Sequence, residues 1–321
     1  MMVSDFPCAR CESPLEREDL RCPICNLAAP DASSDDHDEI SVEILRCDGC
    51  GAAVSYDVEA RAPACAFCGS VLRIEAPVDP PEQVQKRLPF TVDRGLAEGA
   101  YREWLAGLGW FRPSDLRSAS RVESLTPLWW VGWVFDAEAE ITWAADSDTG
   151  AGRAEWAPHA GKTNMTFDDV VASASRGLSG GETAFLLPSY DLGTAEDAAA
   201  DTAPGTTVEQ FDLKRSSARD RVTAFIRRTV TDRLQNGTIP GKRFRNVHAA
   251  VVLRRLITRR FAFPSYVLAY RYRGRLYRVV ISGQDAGRLK GTAPISFAKI
   301  FGLVFGGLLA VSLLIALIAA L

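Results

Sequence analysis

Eight cysteines stand in this chain of 321 residues, all within the first 68, and they form four Cys-x-x-Cys pairs: Cys8/Cys11, Cys22/Cys25, Cys47/Cys50 and Cys65/Cys68. Each pair can fold into a knuckle that aims two thiolates at one metal ion. Two knuckles complete the tetrahedral four-sulfur shell that Zn²⁺ accepts without redox change. Eight thiols therefore imply two structural zinc ions, and four thiolates per ion leave no open position for water or substrate. Sequential pairing (8/11 with 22/25, 47/50 with 65/68) follows from the short gaps within each set. An interleaved cross-brace remains sterically open across the acidic stretch from Asn26 to Arg46.

Other uses of these thiols fit less well. A dithiol redox centre is one pair at a helix start after a strand, whereas four pairs are arrayed here with little apolar sequence between them. Disulfides suit a secreted chain, and Met1 to Arg10 has no apolar run ending in a cleavage site. Segments this polar cannot bury enough surface to fold alone, and a structural zinc supplies on the order of 10–16 kcal/mol. Gly49, Gly51 and Gly69 flank the second set and give it the cleaner ribbon signature.

The other end of the chain is as biased as the first. From Ile300 to Leu321 no residue carries a charge, and 22 residues at about 1.5 Å each reach roughly 33 Å against a hydrocarbon core of about 30 Å. The pattern predicts a single C-terminal transmembrane helix. Arg288, Lys290 and Lys299 precede it with nothing basic after, so residues 1–299 are expected on the cytoplasmic side of the membrane, tail-anchored in the lipid bilayer. Gly302, Gly306 and Ala310 form a small-residue stripe suited to self-association.

Charge is segregated along the chain. Residues 1–80 hold 6 basic and 16 acidic side chains, residues 81–205 hold 10 and 19, and residues 206–321 hold 21 and 5, so the net −3 is a cancellation. A basic face that pairs with the acidic parts competes with a lipid-facing or nucleic-acid-binding surface. Nucleic acid is not favoured, because the cysteine-rich head is itself acidic and would repel phosphate.

Between the extremes lies an α+β domain, residues 90–295, entered through a proline-rich linker, 76–89. Asp93 caps an expected helix with Leu96, Ala100, Trp104, Leu105 and Leu108 on its apolar face. Leu128 to Trp143 reads as strand, and its tryptophans as core. A helix is expected over Arg219–Leu234, with Val222, Phe225, Ile226 and Val230 inward. Val247–Phe263 and Ser265–Ile281 read as antiparallel strands, the second turning at Arg273-Gly274, with Tyr266, Leu268, Tyr270 and Tyr272 on one face. A flexible insert, 191–207, rich in Ala, Asp and Thr, interrupts the domain.

The segments Leu88-Pro89-Phe90, Trp104-Leu105, Trp110-Phe111-Arg112-Pro113, Leu125 to Asp136, Tyr270-Arg271-Tyr272-Arg273-Gly274, Gly283-Gln284 and Pro294 together resemble a bacterial family of membrane-anchored zinc-ribbon-containing proteins. The ribbons of that family are similar to those of basal transcription factor IIB and primosomal helicases. The resemblance implies an amino-terminal ribbon, an α+β domain and a membrane helix, with no established activity. The additional cysteine set at 8–25 and the insert depart from it.

Enzyme motifs fail on inspection. Gly161-Lys162-Thr163 lacks the first glycine of a phosphate loop, Gly150-Ala-Gly152 is no dinucleotide loop, His37, His159 and His248 make no HExxH, and Ser179 lacks the leading glycine of a nucleophile elbow. Asp168-Asp169 reads as helix-capping. The expected organisation is α+β: zinc ribbon 1 (1–28), acidic linker (29–44), zinc ribbon 2 (45–75), Pro-rich linker (76–89), the domain at 90–295 and the transmembrane helix (300–321). The expected function is a non-catalytic, zinc-binding adaptor that presents its ribbons to a protein partner at the membrane. The alternatives are a membrane-tethered nucleic-acid-binding regulator and an enzyme using the tryptophan-rich domain.

Overall fold

A computed structural model gives the architecture, described for residues 6–15, 19, 21–25, 27–29, 44–47, 53–55, 72–75, 82–150, 155–198 and 207–319. A small hairpin comes first, β1 (Phe6–Pro7) with β2 (Pro14–Leu15). A three-stranded antiparallel sheet follows, in which β3 (Ile44–Cys47) lies between β4 (Ala53–Ser55) and β5 (Leu72–Glu75). The body then begins at β6 (Lys86–Arg87). It continues through α1 (Arg94–Gly107), α2 (Leu116–Ala119), β7 (Arg121–Ser147), β8 (Ala157–Ser173), α3 (Gly180–Leu186), β9 (Glu196–Asp197), β10 (Thr207–Val208) and α4 (Arg215–Arg233). It ends with β11 (Phe244–Tyr272), β12 (Arg275–Ser282), β13 (Leu289–Gly291) and α5 (Phe297–Ala319).

Two long strands organise the body. β7 and β11 pair antiparallel from Phe244↔Ser147 to Arg271↔Arg121, with β8 on the free side of β7 and β12 then β13 beyond β11. The expected break between two strands at Pro264 is absent. Proline lacks the ladder donor, but Pro264 still lends its carbonyl to Gly283 N at 2.9 Å, and the strand runs straight through to the Arg273-Gly274 turn, where both residues take positive φ.

Alternation along these strands separates three cores. Trp130, Phe261, Phe263 and Val267 face α3 and Tyr190. Tyr266, Leu268, Tyr270 and Tyr272 share the opposite face with α1, as the period-2 reading requires. Farther along, Trp133, Ala137, Ile141 and Trp143 receive Ala218, Val222, Ile226 and Val230 of α4.

The α4 face is as expected in Val222, Ile226 and Val230, all buried, while α1 keeps Leu105 inward but turns from Leu96 toward Ala97 and Tyr101. α1 buries Ala97, Tyr101 and Leu105 and leaves Leu96 56 % exposed, while α4 leaves Phe225 48 % exposed. Each helix lies over a tyrosine- or tryptophan-bearing strand, and the small Ala97 and Ala218 make the close approach. Tertiary fit overrode side-chain size.

The segregated charges meet across the β7–β11 ladder. Arg259 pairs with Asp136, Arg255 with Glu138, Arg254 with Glu140 and Arg245 with Asp146. Part of the linker and insert also belongs to the body: β6 pairs with β11 and β9, Leu88 is fully buried, and β10 pairs with β7. Residues 199–206 of the insert lie outside the described residues.

The expected membrane span is corrected. α5 forms over Phe297–Ala319, yet among the described residues no helix is long and apolar enough to cross a membrane. The fold is therefore mixed α/β around a large sheet. The single-pass placement, with residues 1–299 on the cytoplasmic side, falls with the span. Gly302 and Gly306 have no neighbour that an added Cβ would meet. The first turn of α5 is tied to the body through Lys299 Nζ, which donates to the Arg112 carbonyl at 2.8 Å.

Candidate metal centre

The first ribbon is built from two tight turns. Cys8 N donates to the Ser13 carbonyl at 2.8 Å and Glu12 N to the Cys8 carbonyl at 2.9 Å, closing the first knuckle. Glu12 takes φ 57°, the left-handed conformation that glycine occupies without strain. In the second knuckle Cys22 N donates to the Leu27 carbonyl at 2.7 Å, and Ile24 N to Cys22 Sγ at 3.4 Å. Cys8, Leu15 and Cys22 are buried beneath Ile24, Leu27 and Ala29.

The turns bring four sulfurs together. Cys8, Cys11, Cys22 and Cys25 place their Sγ atoms within 4.8 Å of one another, with Cys8 to Cys25 and Cys11 to Cys22 each at 3.5 Å. Zn–S bonds of about 2.3 Å in a tetrahedron put sulfurs roughly 3.8 Å apart, so the donor set and its spacing suit a tetrahedral thiolate-bound ion. The sequential pairing of Cys8/Cys11 with Cys22/Cys25 is the arrangement present. Of the second expected set, Cys47 ends β3, and Cys50, Cys65 and Cys68 lie outside the described residues.

The thiols are electrostatically unequal. Hydrogen bonding from the Ser13 hydroxyl brings Cys11 down to about 6, and backbone N–H groups of Arg10 and Cys11 lower Cys8. Burial pushes Cys22 up to about 12. A divalent cation would supply the charge that holds all four deprotonated together.

The ribbon does not stand apart from the body. Asp19, between the knuckles and with a side chain only 3 % exposed, accepts from Arg219 Nη1 at 2.7 Å and Nη2 at 3.3 Å, and Arg215 Nη1 stands 3.7 Å away. Arg219 also donates to Thr258 Oγ1 of β11. Glu82 ties Arg215 to Arg260 at 3.0 and 2.5 Å. Ser13 Oγ donates to the Arg254 carbonyl at 3.0 Å, and Ile24 reaches the core beneath α4. The pairing of the acidic parts with the basic third was among the sequence expectations, but the residues that make it were not identified.

The chain is similar to Uncharacterized protein YdjG of Bacillus subtilis (strain 168), 22 % identical over 228 residues. The match covers 67 % of this chain and 65 % of the relative, so the chain spans just under two thirds of the length of that protein. No protein-family model and no solved structure matches significantly. A four-cysteine cluster able to form a zinc ribbon is thus established for residues 8–25, and the wider family resemblance finds no support from a family match.

The segments that carried the resemblance do converge in space. Phe90 stands edge-on to Trp129 and Tyr266, with ring centroids 5.2 Å from each. Gln284 Nε2 donates to the Pro89 carbonyl at 3.3 Å, Thr91 N and Val92 N donate to the Gly283 carbonyl, and Arg112 Nη1 donates to the Ala293 and Pro294 carbonyls. These contacts are structural.

The rejected enzyme motifs take structural places as well. Gly161-Lys162-Thr163 lies within β8, and Ser179 caps α3 in a reciprocal pair with Glu182. His159, expected in a loop, lies in β8 beside Thr149 Oγ1 at 2.9 Å. Asp169 caps no helix: it takes φ 55° within β8, its N–H donates to Asp136 Oδ1, and its carboxylate accepts from Arg259.

Proposed function

We propose that the chain is a non-catalytic, zinc-bearing adaptor whose first ribbon, fixed against the body, offers a rigid composite surface to a protein partner. The observation that carries this reading is the closed set of four thiolate donors at residues 8–25 beside a buried ion-pair anchor to α4. A four-sulfur shell leaves no position for substrate, and a ribbon anchored through Asp19 presents its outer face at a fixed angle to the sheet. A second structural zinc at Cys47, Cys50, Cys65 and Cys68 belongs to the same reading. Its support is the repeated Cys-x-x-Cys spacing together with the pairing of β3, which ends at Cys47, with both β4 and β5.

The test begins with metal analysis of the full chain purified under reductant, where two zinc per chain are expected. Cys22→Ser with Cys25→Ser should remove one. In-cell cross-linking of wild type and this variant then compares captured proteins. A partner lost specifically with the ribbon supports the adaptor. An unchanged set of cross-linked proteins, with the metal demonstrably gone, sinks it.

A further inference from the structure

We propose that the four-cysteine centre at residues 8–25 is a thiol–disulfide switch, in which a hydroperoxide converts the thiolates into two bonds across the knuckles, Cys8–Cys25 and Cys11–Cys22, and so removes the ligands of the ion. The inference rests on the metal reading above and extends it to regulation of that site.

The sulfurs are placed for these two bonds. Cys8 with Cys25 and Cys11 with Cys22 are the pairs at 3.5 Å, and each joins one knuckle to the other. A disulfide needs about 2.05 Å between sulfurs, so each pair has only roughly 1.5 Å to close. Each pair also combines an outer sulfur with an inner one: Cys11 and Cys25 are half-buried, whereas Cys22 and Cys8 are 3 % and 2 % exposed. A small oxidant from solvent therefore reaches one sulfur of each pair, and the partner lies close enough to resolve the product. Bonds across the knuckles also do what the ion does, holding the turn that starts at Cys8 to the one that starts at Cys22. Bonds within each Cys-x-x-Cys would leave the two turns unlinked.

The chemistry balances with the peroxide as sole oxidant. The Cys11 thiolate attacks one peroxide oxygen: an S–O bond forms, the O–O bond breaks and hydroxide leaves, so the sulfur is oxidised by two electrons to a sulfenic acid and the peroxide is reduced. The Cys22 thiolate then attacks that sulfur; the S–S bond forms, the S–O bond breaks, and the second oxygen leaves as hydroxide. Two protons from solvent turn both hydroxides into water. Cys25 and Cys8 repeat the sequence with a second peroxide, after which no thiolate is left to hold a divalent cation. A thiol reductant reverses both bonds by exchange.

The experiment uses the full chain, loaded with zinc under reductant, freed of reductant and treated stepwise with hydrogen peroxide. Zinc release is read with a chromogenic chelator, remaining thiols are alkylated, and disulfides are mapped by mass spectrometry of unreduced tryptic peptides. Trypsin cuts after Arg10 and Arg21, which parts Cys8, Cys11 and the second knuckle onto separate peptides, and fragmentation then tells Cys22 from Cys25. Release from this site is the difference between wild type and Cys22→Ser with Cys25→Ser. The expected result is loss of the ion held at residues 8–25 together with Cys8–Cys25 and Cys11–Cys22 linkages, both undone by dithiothreitol with recovery of zinc binding. Linkages Cys8–Cys11 and Cys22–Cys25, linkage to the second cysteine set, or sulfinic acids in place of disulfides overturn the proposal. Metal analysis before peroxide is added keeps the two readings apart: an untreated chain without zinc at these cysteines refutes the metal reading, while the linkage map still decides the sulfur pairing.

Discussion

Trp130 lies flat on Phe263, their ring centroids 4.3 Å apart and their planes 16° from parallel, at the cross-strand pair where β7 and β11 meet beneath α3. The indole N–H donates to the Tyr190 hydroxyl at 3.2 Å, and that hydroxyl donates to the Pro264 carbonyl at 2.9 Å. A buried indole with its polar atom satisfied joins large apolar area to a fixed orientation. The stack thus locks the register of the two longest strands and anchors the segment that follows α3.

Trp130→Ala should therefore lower unfolding free energy by about 3–5 kcal/mol, the cost of a large buried cavity. Tyr190→Phe keeps the ring but strands the buried indole donor, while the Pro264 carbonyl retains Gly283 N, and should cost about 1–3 kcal/mol. Urea denaturation followed by far-UV circular dichroism measures both. A Trp130→Ala loss below that of Tyr190→Phe would remove this stack from the core.

The body was legible in the sequence wherever one period ruled. The alternation of Tyr266, Leu268, Tyr270 and Tyr272 put all four on one face, and Asp93 caps α1 through Leu96 N at 2.8 Å. Where elements had to fit each other, the pattern failed at single positions: Ala97 is buried in place of Leu96 in α1, and Phe225 of α4 stays exposed while Val222, Ile226 and Val230 turn inward as expected. The four-cysteine set at residues 8–25 was fully legible, since its spacing is its chemistry. The anchoring of the ribbon by Asp19 was not, because an ion pair between residues 19 and 219 leaves no local signature.

Glu209 introduces a pH dependence. Its Oε1 accepts from Arg176 N and Gly177 N, both at 2.9 Å, and burial outweighs these bonds to push the carboxyl up to about 7. The folded state then binds a proton that the unfolded chain has released. Stability contributed here is present below the unfolded carboxyl's range, near pH 4.5, and falls as pH rises to about 7, by on the order of 2–3 kcal/mol. Glu209→Gln keeps an acceptor for both N–H groups and carries no charge. Its stability curve should be flatter between pH 5 and 8 and cross above wild type at the alkaline end; parallel curves would contradict the assignment.

The charge ladder between β7 and β11 is not uniform. Arg254 with Glu140 is solvent-facing and Arg254→Ala should cost under about 1 kcal/mol, fading with added salt. Arg259 is more enclosed and bridges two carboxylates, Asp136 at 2.7 Å and Asp169 at 2.9 Å, while its guanidinium also lies over Phe261 at 5.4 Å. Arg259→Ala would leave those carboxylates facing each other. It should cost more than Arg254→Ala and retain most of its effect in 0.5 M salt. Denaturation at two ionic strengths separates the cases, and equal, salt-sensitive losses would place Arg259 with the surface pairs.

Two glycines give opposite expectations for the same substitution. A Cβ at Gly283 would stand 2.6 Å from Pro264 Cβ and 2.9 Å from both the Pro264 carbonyl carbon and the Phe90 ring, so the turn after β12 can close on β11 only without a side chain. Gly283→Ala should destabilise by about 1–3 kcal/mol, as overpacking of a fitted contact does. At Gly99, within α1, a Cβ meets nothing within 4 Å, and Gly99→Ala should stabilise by about 0.5–1 kcal/mol because alanine restricts the unfolded chain and favours helix. Thermal unfolding of the pair reads the sign directly. A stabilised Gly283→Ala would mean that Phe90 and Pro264 can part without cost, and the contact between the chain entering the body and its last strands would not be the fixed joint described above.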